Sequence, residues 1–262
     1  SIKHFYKLNV MYRYALTIEY DGSPFHGWQV QKNLSTVQGI IFSAIKKLDK
    51  NCENFVGAGR TDAGVHAIGQ VAHVDLGTDR DCETVEKAIN YYLSKYPISI
   101  LGARKVSKDF HARYSAIKRY YTYKIFSRTT DLTFERSQFW HVRHPLDISK
   151  MELAASYLVG KHDFTAFRSS ICQASSPIKT IDSIEIKSEK IRDGIIYEFD
   201  LSARSFLHNQ VRSIVGCLEK VGCGKWEPQK VQEVLLSKER SKCAALAPPC
   251  GLYLSKIEYE NL

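Results

Sequence analysis

Cysteine pairs at metal-finger spacing are missing from this 262-residue chain, although it carries seven cysteines. Cys52, Cys82, Cys172, Cys217, Cys223, Cys243 and Cys250 are scattered and odd in number. They indicate neither a disulfide framework nor a zinc ribbon, so free thiols in a reducing cytoplasm are expected. The histidines at 66, 73, 111, 141, 144, 162 and 208 lack HExxH spacing or an accompanying cysteine pair, and no metal site is expected. No GxGxxG or Walker sequence is present, which argues against a dinucleotide or nucleoside-triphosphate enzyme. No apolar run approaches the ~20 residues of a membrane helix. Ser1 to Val10 lacks the apolar centre of a signal peptide, so Met11 is a candidate native start. Low-complexity segments and internal sequence repeats are also absent.

What the chain does have is basic charge on an otherwise ordinary globular composition. Lys and Arg exceed Asp and Glu by 37 to 28, a net charge of +9, and the sequence pI is about 9.1. A clustered positive surface of that kind concentrates polyanions and speeds their capture. Charge alone fits a ribosomal or membrane-surface protein equally well. A hydrophobic content of 44% is enough for a substantial core.

Periodicity divides the chain into alternating elements. Tyr12, Tyr14, Leu16, Ile18 and Tyr20 share one face of a half-buried strand, turned by Asp21-Gly22-Ser23-Pro24. Ser35-Thr36-Val37-Gln38 reads as a capping box for a helix with Val37, Ile40, Ile41, Ala44, Ile45 and Leu48 on one face. Strands at 54–58 and 70–76, a helix marked by Val85, Ile89 and Leu93, and a strand from Ile98 complete a β-α-β-β-α-β order, the ferredoxin-like split unit. After Ser107-Lys108-Asp109 the order recurs with one extra strand at 138–142 and one extra helix at Pro228. In this second half Asp147 is a candidate cap for a helix stopped by Gly160, and a later helix is read from Leu207 to Val221.

The most informative stretch is Gly59-Arg60-Thr61-Asp62-Ala63-Gly64-Val65-His66. It sets one carboxylate among glycines, which permit tight or left-handed backbone and close approach of another chain. If Arg60 to Asp62 is extended, both side chains point to the same side, giving an anchored acid beside a cation. A turn-capping aspartate is the bland alternative.

The longer string from Phe55 to Leu76 resembles the catalytic segment of the TruA-type tRNA pseudouridine synthases. Tyr20-Asp21-Gly22-Ser23 through Gly27-Trp28-Gln29 resembles that family's first signature, and Phe110-His111-Ala112-Arg113 through Tyr121-X-Tyr123 its middle one. Phe206 to Gly216, with Arg212, resembles the later helix motif, and Gly251-Leu252-Tyr253-Leu254 the closing strand. These blocks stand in family order from about Tyr12 to Tyr259.

The resemblance implies an α+β protein. Two ferredoxin-like halves, 12–107 and 108–262, would form one extended mixed antiparallel sheet with a central catalytic cleft. It implies isomerisation of uridine to pseudouridine at positions 38, 39 and 40 of the tRNA anticodon stem-loop, by a homodimer. The reaction moves no electrons and adds no group, so no cofactor is expected. Asp62 matches the catalytic aspartate, Tyr121 the tyrosine that stacks on the target uracil, and Arg212 the cation that pairs with the carboxylate. Arg60 either fills the space left by a flipped nucleotide or holds a phosphate. His111, Arg113 and Arg119 form a basic cluster interleaved with tyrosines, suited to phosphates and sugars. Gln29 and His66 also lie in matched motifs, with structural hydrogen bonding as the competing role. The alternative function is a non-catalytic tRNA-binding protein or RNA chaperone with the same fold; a metal-dependent RNA hydrolase is a more distant rival.

Overall fold

The computed structural model describes residues 10–172, 174–260 and 262. Its first half runs β1 (Tyr12–Tyr20), α1 (Val37–Leu48), β2 (Glu53–Gly57), β3 (His66–Leu76), α2 (Cys82–Leu93) and β4 (Ile98–Lys105). β1 forms because its β-branched and aromatic residues alternate, and Tyr14, Leu16, Ile18 and Tyr20 are all buried on one face. The strands pair antiparallel in the order β4-β1-β3-β2. With two crossover helices, this is the expected ferredoxin-like unit.

The second half repeats the scheme. β5 (Ala116–Ser127) leads through α3 (Ile148–Ser156) to β8 (Ile178–Ile191) and β9 (Gly194–Ala203), and α4 (Gln210–Gly222) leads to β10 (Leu252–Tyr259). Their antiparallel order, β10-β5-β9-β8, matches that of the first half position by position. Short β6 (Trp140–Val142) pairs parallel with β5, and α5 (Gln229–Ser237) follows α4.

One short parallel contact, Tyr253 and Leu254 of β10 against His66 and Ala67 of β3, fuses the halves into a single mixed sheet. It shares an edge of β3 with β2, which pairs further along at Ala72, His73 and Asp75. The β2–β3 connection therefore emerges between the two halves. Each half has its own apolar core, one around Trp28, Leu16 and Ile41, the other around Phe164, Phe167 and Phe199. Tyr121 packs against both. At ~1.5–3 kcal/mol for each large side chain removed from water, these cores are the main favourable term.

Local boundaries differ from the sequence expectation in ways the bonding explains. Thr36, not Ser35, caps α1, its hydroxyl accepting from Gly39 N at 3.4 Å. Gln38 is not part of a capping box: its amide accepts from Val30 N and donates to Phe55 O. Asp147 caps α3 as expected, but the helix ends at Ser156, and Gly160, with φ +103°, opens an unexpected strand β7 (Gly160–Asp163). β3 starts at His66 rather than Gln70, and Leu207 lies ahead of α4, buried all the same.

Candidate active site

The segment from Ala58 to Val65 is held at nearly every turn. Gly59 O accepts from the Gln70 side-chain amide at 2.9 Å. Thr61 O accepts from Trp28 N at 3.0 Å, and the Thr61 hydroxyl meets the buried Tyr20 hydroxyl at 2.7 Å. Burial pushes the Tyr20 phenol up, so it stays protonated in that bond. Asp62 to Val65 is a β-turn closed by Val65 N donating to Asp62 O at 3.1 Å, and Gly64 supplies its positive φ of +77°. The chain before it fits only without side chains. A Cβ on Gly27 would sit 2.6 Å from Thr61 O, and one on Gly22 would sit 1.9 Å from Val65 O. The two first-signature glycines thus exist to let residues 21–28 clamp the Asp62 loop.

Across the junction, the second half presents two cationic or protonatable groups to that carboxylate. Arg212, in the first turn of α4, donates from Nη1 to Asp62 Oδ2 at 3.3 Å. Its Nε donates to Ala247 O at 2.7 Å and Nη1 also reaches Asn209 Oδ1 at 3.3 Å, so the guanidinium is fixed before any substrate arrives. His208 Nε2 stands 3.0 Å from Asp62 Oδ1. Asn209 between them has φ +65°, a conformation asparagine tolerates better than most residues, and this turns the chain sharply into α4. Asp62 is 36% exposed while Arg212 is only 13% exposed, so the acid faces solvent and its cation is braced behind it. The N-terminal end of a helix adds positive potential at the same place.

Tyr121 closes the third side. Its ring meets Phe206 edge-on at 5.2 Å, and its hydroxyl is pushed up to about 12, mainly by burial, with Asp62's charge adding and Arg119's opposing. Adjacent Tyr120 points to the other sheet face and donates to Glu258 Oε2 at 2.5 Å.

A carboxylate gripped from both sides, an aromatic face beside it and a basic surround set the terms for comparison with known proteins. The family model described as tRNA pseudouridine synthase matches residues 16–115 and 154–260. Among similar curated proteins, that of Paracoccus denitrificans is 50% identical over 254 residues, covering 96% of this chain and 97% of its own length. That of Cereibacter sphaeroides is 49% identical over 249 residues, covering 95% and 97%, and both carry the name tRNA pseudouridine synthase A. The chain belongs to the tRNA pseudouridine synthase family. It is an isomerase that makes pseudouridine in tRNA. A solved Cbf5-Nop10-Gar1 complex overlaps 79% of the chain and 45% of its own chain at 14% identity, with a TM-score of 0.36, too low to carry an argument.

Within this synthase the expected site residues separate into three groups. Asp62, Tyr121 and Arg212 come together at the junction of the halves. Arg60 is exposed and has no ion pair among the described residues; the cation fixed on Asp62 is Arg212 instead. Gln29 and Arg113 are exposed, Arg113 lying 5.6 Å from the Tyr114 ring, and both remain available to a ligand.

Three others are already occupied. His66 is buried: Nδ1 accepts from Gly22 N at 3.0 Å, and Nε2 faces the carbonyls of Ser137 and Cys250 at 2.8 and 3.1 Å. It clamps the loop from beneath, with both ring nitrogens engaged by the protein itself. His111 accepts through Nδ1 from Arg113 N and Tyr114 N, capping a turn, and burial lowers its pKa, keeping it neutral. Arg119 donates to the carbonyls of Arg204, Arg113 and Ala58, at 2.7, 2.9 and 3.3 Å. The bond to Ala58 O ties the second half to the first.

His208 is the residue the sequence reading passed over. It lay inside the matched helix motif but drew attention only as one of several scattered histidines. Gln210 also has structural work: its Oε1 accepts from Leu207 N at 2.8 Å, holding the turn that aims Arg212.

Proposed function

We propose that the synthase isomerises uridines 38, 39 and 40 in the anticodon stem-loop of tRNA, in the cytoplasm, as a homodimer whose subunits share the RNA. The cleft lies between an N-terminal unit, 12–107, and a C-terminal unit, 108–262. Asp62 is the catalytic carboxylate. The observation that carries this is its double hold: Arg212 on one oxygen and His208 on the other. A carboxylate that only capped its own turn would not need a cation from the far half of the chain, 150 residues on.

The C1′–N1 bond breaks, the freed uracil turns, and C1′ joins C5. C5 then loses its proton, and N1 carries one in the product. Arg212 holds and orients Asp62 for this, whether the carboxylate acts at C1′, at C6 or as a base. The half-buried ring of Tyr121 takes the face of the flipped uracil, since every base offers a π-face for stacking. Arg60, exposed and unpaired among the described residues, holds a phosphate or fills the vacated stack.

The test is tritium release from tRNA labelled at uracil C5, with the modified positions mapped by carbodiimide-dependent primer stops. Release from intact tRNA with stops at 38–40 supports the proposal. Stops confined elsewhere would refute the position, and tRNA binding without release would favour the non-catalytic alternative.

A further inference from the structure

We propose that His144, Glu219 and Cys223 form a binding site for one divalent transition-metal ion of the zinc type, remote from Asp62. One ligand atom from each residue, imidazole nitrogen, carboxylate oxygen and sulfur, lies within 4.8 Å of the other two. A four-coordinate zinc holds sulfur at ~2.3 Å and nitrogen or oxygen at ~2.0 Å, which places ligand atoms roughly 3.3–3.7 Å apart. Only a small contraction separates the cluster from that geometry.

Glu219 supplies an independent observation. Its side chain is 4% exposed, and although Oε1 meets His144 Nε2 at 2.8 Å, Oε2 is buried without a hydrogen-bond partner. The Lys220 ammonium lies 3.5 Å from Oε2 but makes no hydrogen bond to it, and 31% of its side chain is in solvent, free to swing away. A buried carboxylate oxygen left unpaired is costly, and a cation at this point would satisfy it.

Placement agrees with the charge. Glu219 and Cys223 are four residues apart, on one side of the last turn of α4, where the exposed carbonyls favour a cation. Cys223 now donates its thiol to Lys220 O at 3.5 Å, a weak bond that metal binding would replace as the sulfur loses its proton. His144 is 41% exposed, leaving one side open for water as a fourth ligand. The donor set of imidazole, carboxylate and thiolate suits zinc rather than magnesium or calcium. No spacing motif announces the site, because its histidine comes from the connection between β6 and α3.

The test uses the whole protein, reduced and stripped with EDTA, titrated with Co²⁺ alone. One equivalent should bind with thiolate-to-cobalt charge-transfer absorption and the strong visible bands of a four-coordinate ion, and Zn²⁺ should bleach both. Cys223→Ser should abolish the charge-transfer band, and His144→Gln should weaken binding about tenfold or more. Both residues are partly exposed, and circular dichroism confirms that the variants are folded. Cys217 and Cys243, with sulfurs 3.4 Å apart, are the competing thiol pair. Cys243→Ser must therefore leave the spectrum intact. Absence of a saturable band at micromolar protein, a band that survives Cys223→Ser, or one lost in Cys243→Ser would overturn the proposal.

Discussion

The two halves share one strand order and use it differently. In the first half the hairpin-forming connection from β2 to β3 is long, residues 58–65, and carries Asp62. Its counterpart from β8 to β9 is the two-residue turn Arg192-Asp193. The helices that follow differ in the opposite sense. α2 is capped by its own Asp81, which accepts from Thr84 N at 2.8 Å. α4 has no side-chain cap, and the carboxylate nearest its start is Asp62, supplied by the other half and bonded to residues on either side of Asn209. Where one half grew a loop, the other left a helix end open to it. The contact between Asp62 and α4 exists because of that mismatch, since identical halves would offer either two capped helices or two short turns.

Removing the loop's charge should break the comparison most severely. Asp62→Ala is expected to lower tritium release on the order of 10³-fold or more, the scale seen when a reacting group is deleted. Binding of tRNA, drawn from many basic contacts, should change little. Measurable turnover by the variant would move the reacting group elsewhere.

The open helix end should matter next. A hydrogen bond to a charged group is worth ~1.5–3 kcal/mol, or roughly ten- to hundredfold in rate when the group reacts. Arg212→Ala should lie at the upper end of that range in kcat/KM, because its guanidinium is braced by Ala247 O and Asn209 Oδ1. His208→Ala should lie at the lower end, since the imidazole is half exposed. Equal losses, or losses matched by equal drops in melting temperature, would assign both residues to structure alone.

The strand and helix pattern was legible because half-buried elements must alternate with the period of their backbone, as Tyr14, Leu16 and Ile18 do. β7 was not, because Gly160-Lys161-His162-Asp163 is a polar edge strand without apolar alternation, formed by backbone pairing to β8. The tight packing around the Asp62 loop was legible from its glycines, which mark close approach. The three carbonyls that Arg119 meets were not legible, because a basic cluster looks the same in sequence whether its guanidinium faces solvent or backbone. His208 was missed because nothing local to it shows that a carboxylate 146 residues away will face it.

Tyr121 belongs to both halves, so its substitution sharpens where they meet. Stacking on a base is worth ~1–3 kcal/mol, roughly five- to a hundredfold in affinity. Tyr121→Phe keeps the ring and should bind tRNA like the parent while turning over more slowly. Tyr121→Leu should lose the stacking contribution. If Phe is fully active and Leu merely lowers the melting temperature, the residue is only the seam between two cores.

The first half should also be the more acid-sensitive. His73 in β3 is buried and accepts from Ala112 N at 3.1 Å. Burial, then the charge of Arg13, lowers its pKa to about 4. The unfolded chain, near 6.5, therefore takes up the proton first. Stability is full above pH ~6.5 and declines as pH falls toward about 4, by ~1.4 kcal/mol per unit and so about 2 kcal/mol by pH 5. Urea unfolding at pH 7 and pH 5 measures this directly. His73→Gln, which cannot titrate, should flatten the decline, and an unchanged slope would place its origin elsewhere.

The mildest intervention tests the asymmetry itself. Two glycines inserted between Arg192 and Asp193 lengthen a turn whose own side chains are exposed, Arg192 pairing with Glu135 and Asp193 with the less exposed Arg128. Exposed pairs are worth at most ~1 kcal/mol, and doubling a short loop costs only ~0.6 kcal/mol in closure entropy. The melting temperature should fall by a few degrees at most, roughly 2–4 °C per kcal/mol for a chain of this size, and kcat should be unchanged. The same insertion between Ala63 and Gly64 displaces the carboxylate from Arg212 and His208 and should silence the enzyme while barely altering its melting temperature. If both insertions are equally tolerated, the long connection is not the functional half of the pair. If both are equally damaging, the second hairpin does more than close a sheet edge, and tRNA footprinting on the two variants would show whether it touches the RNA.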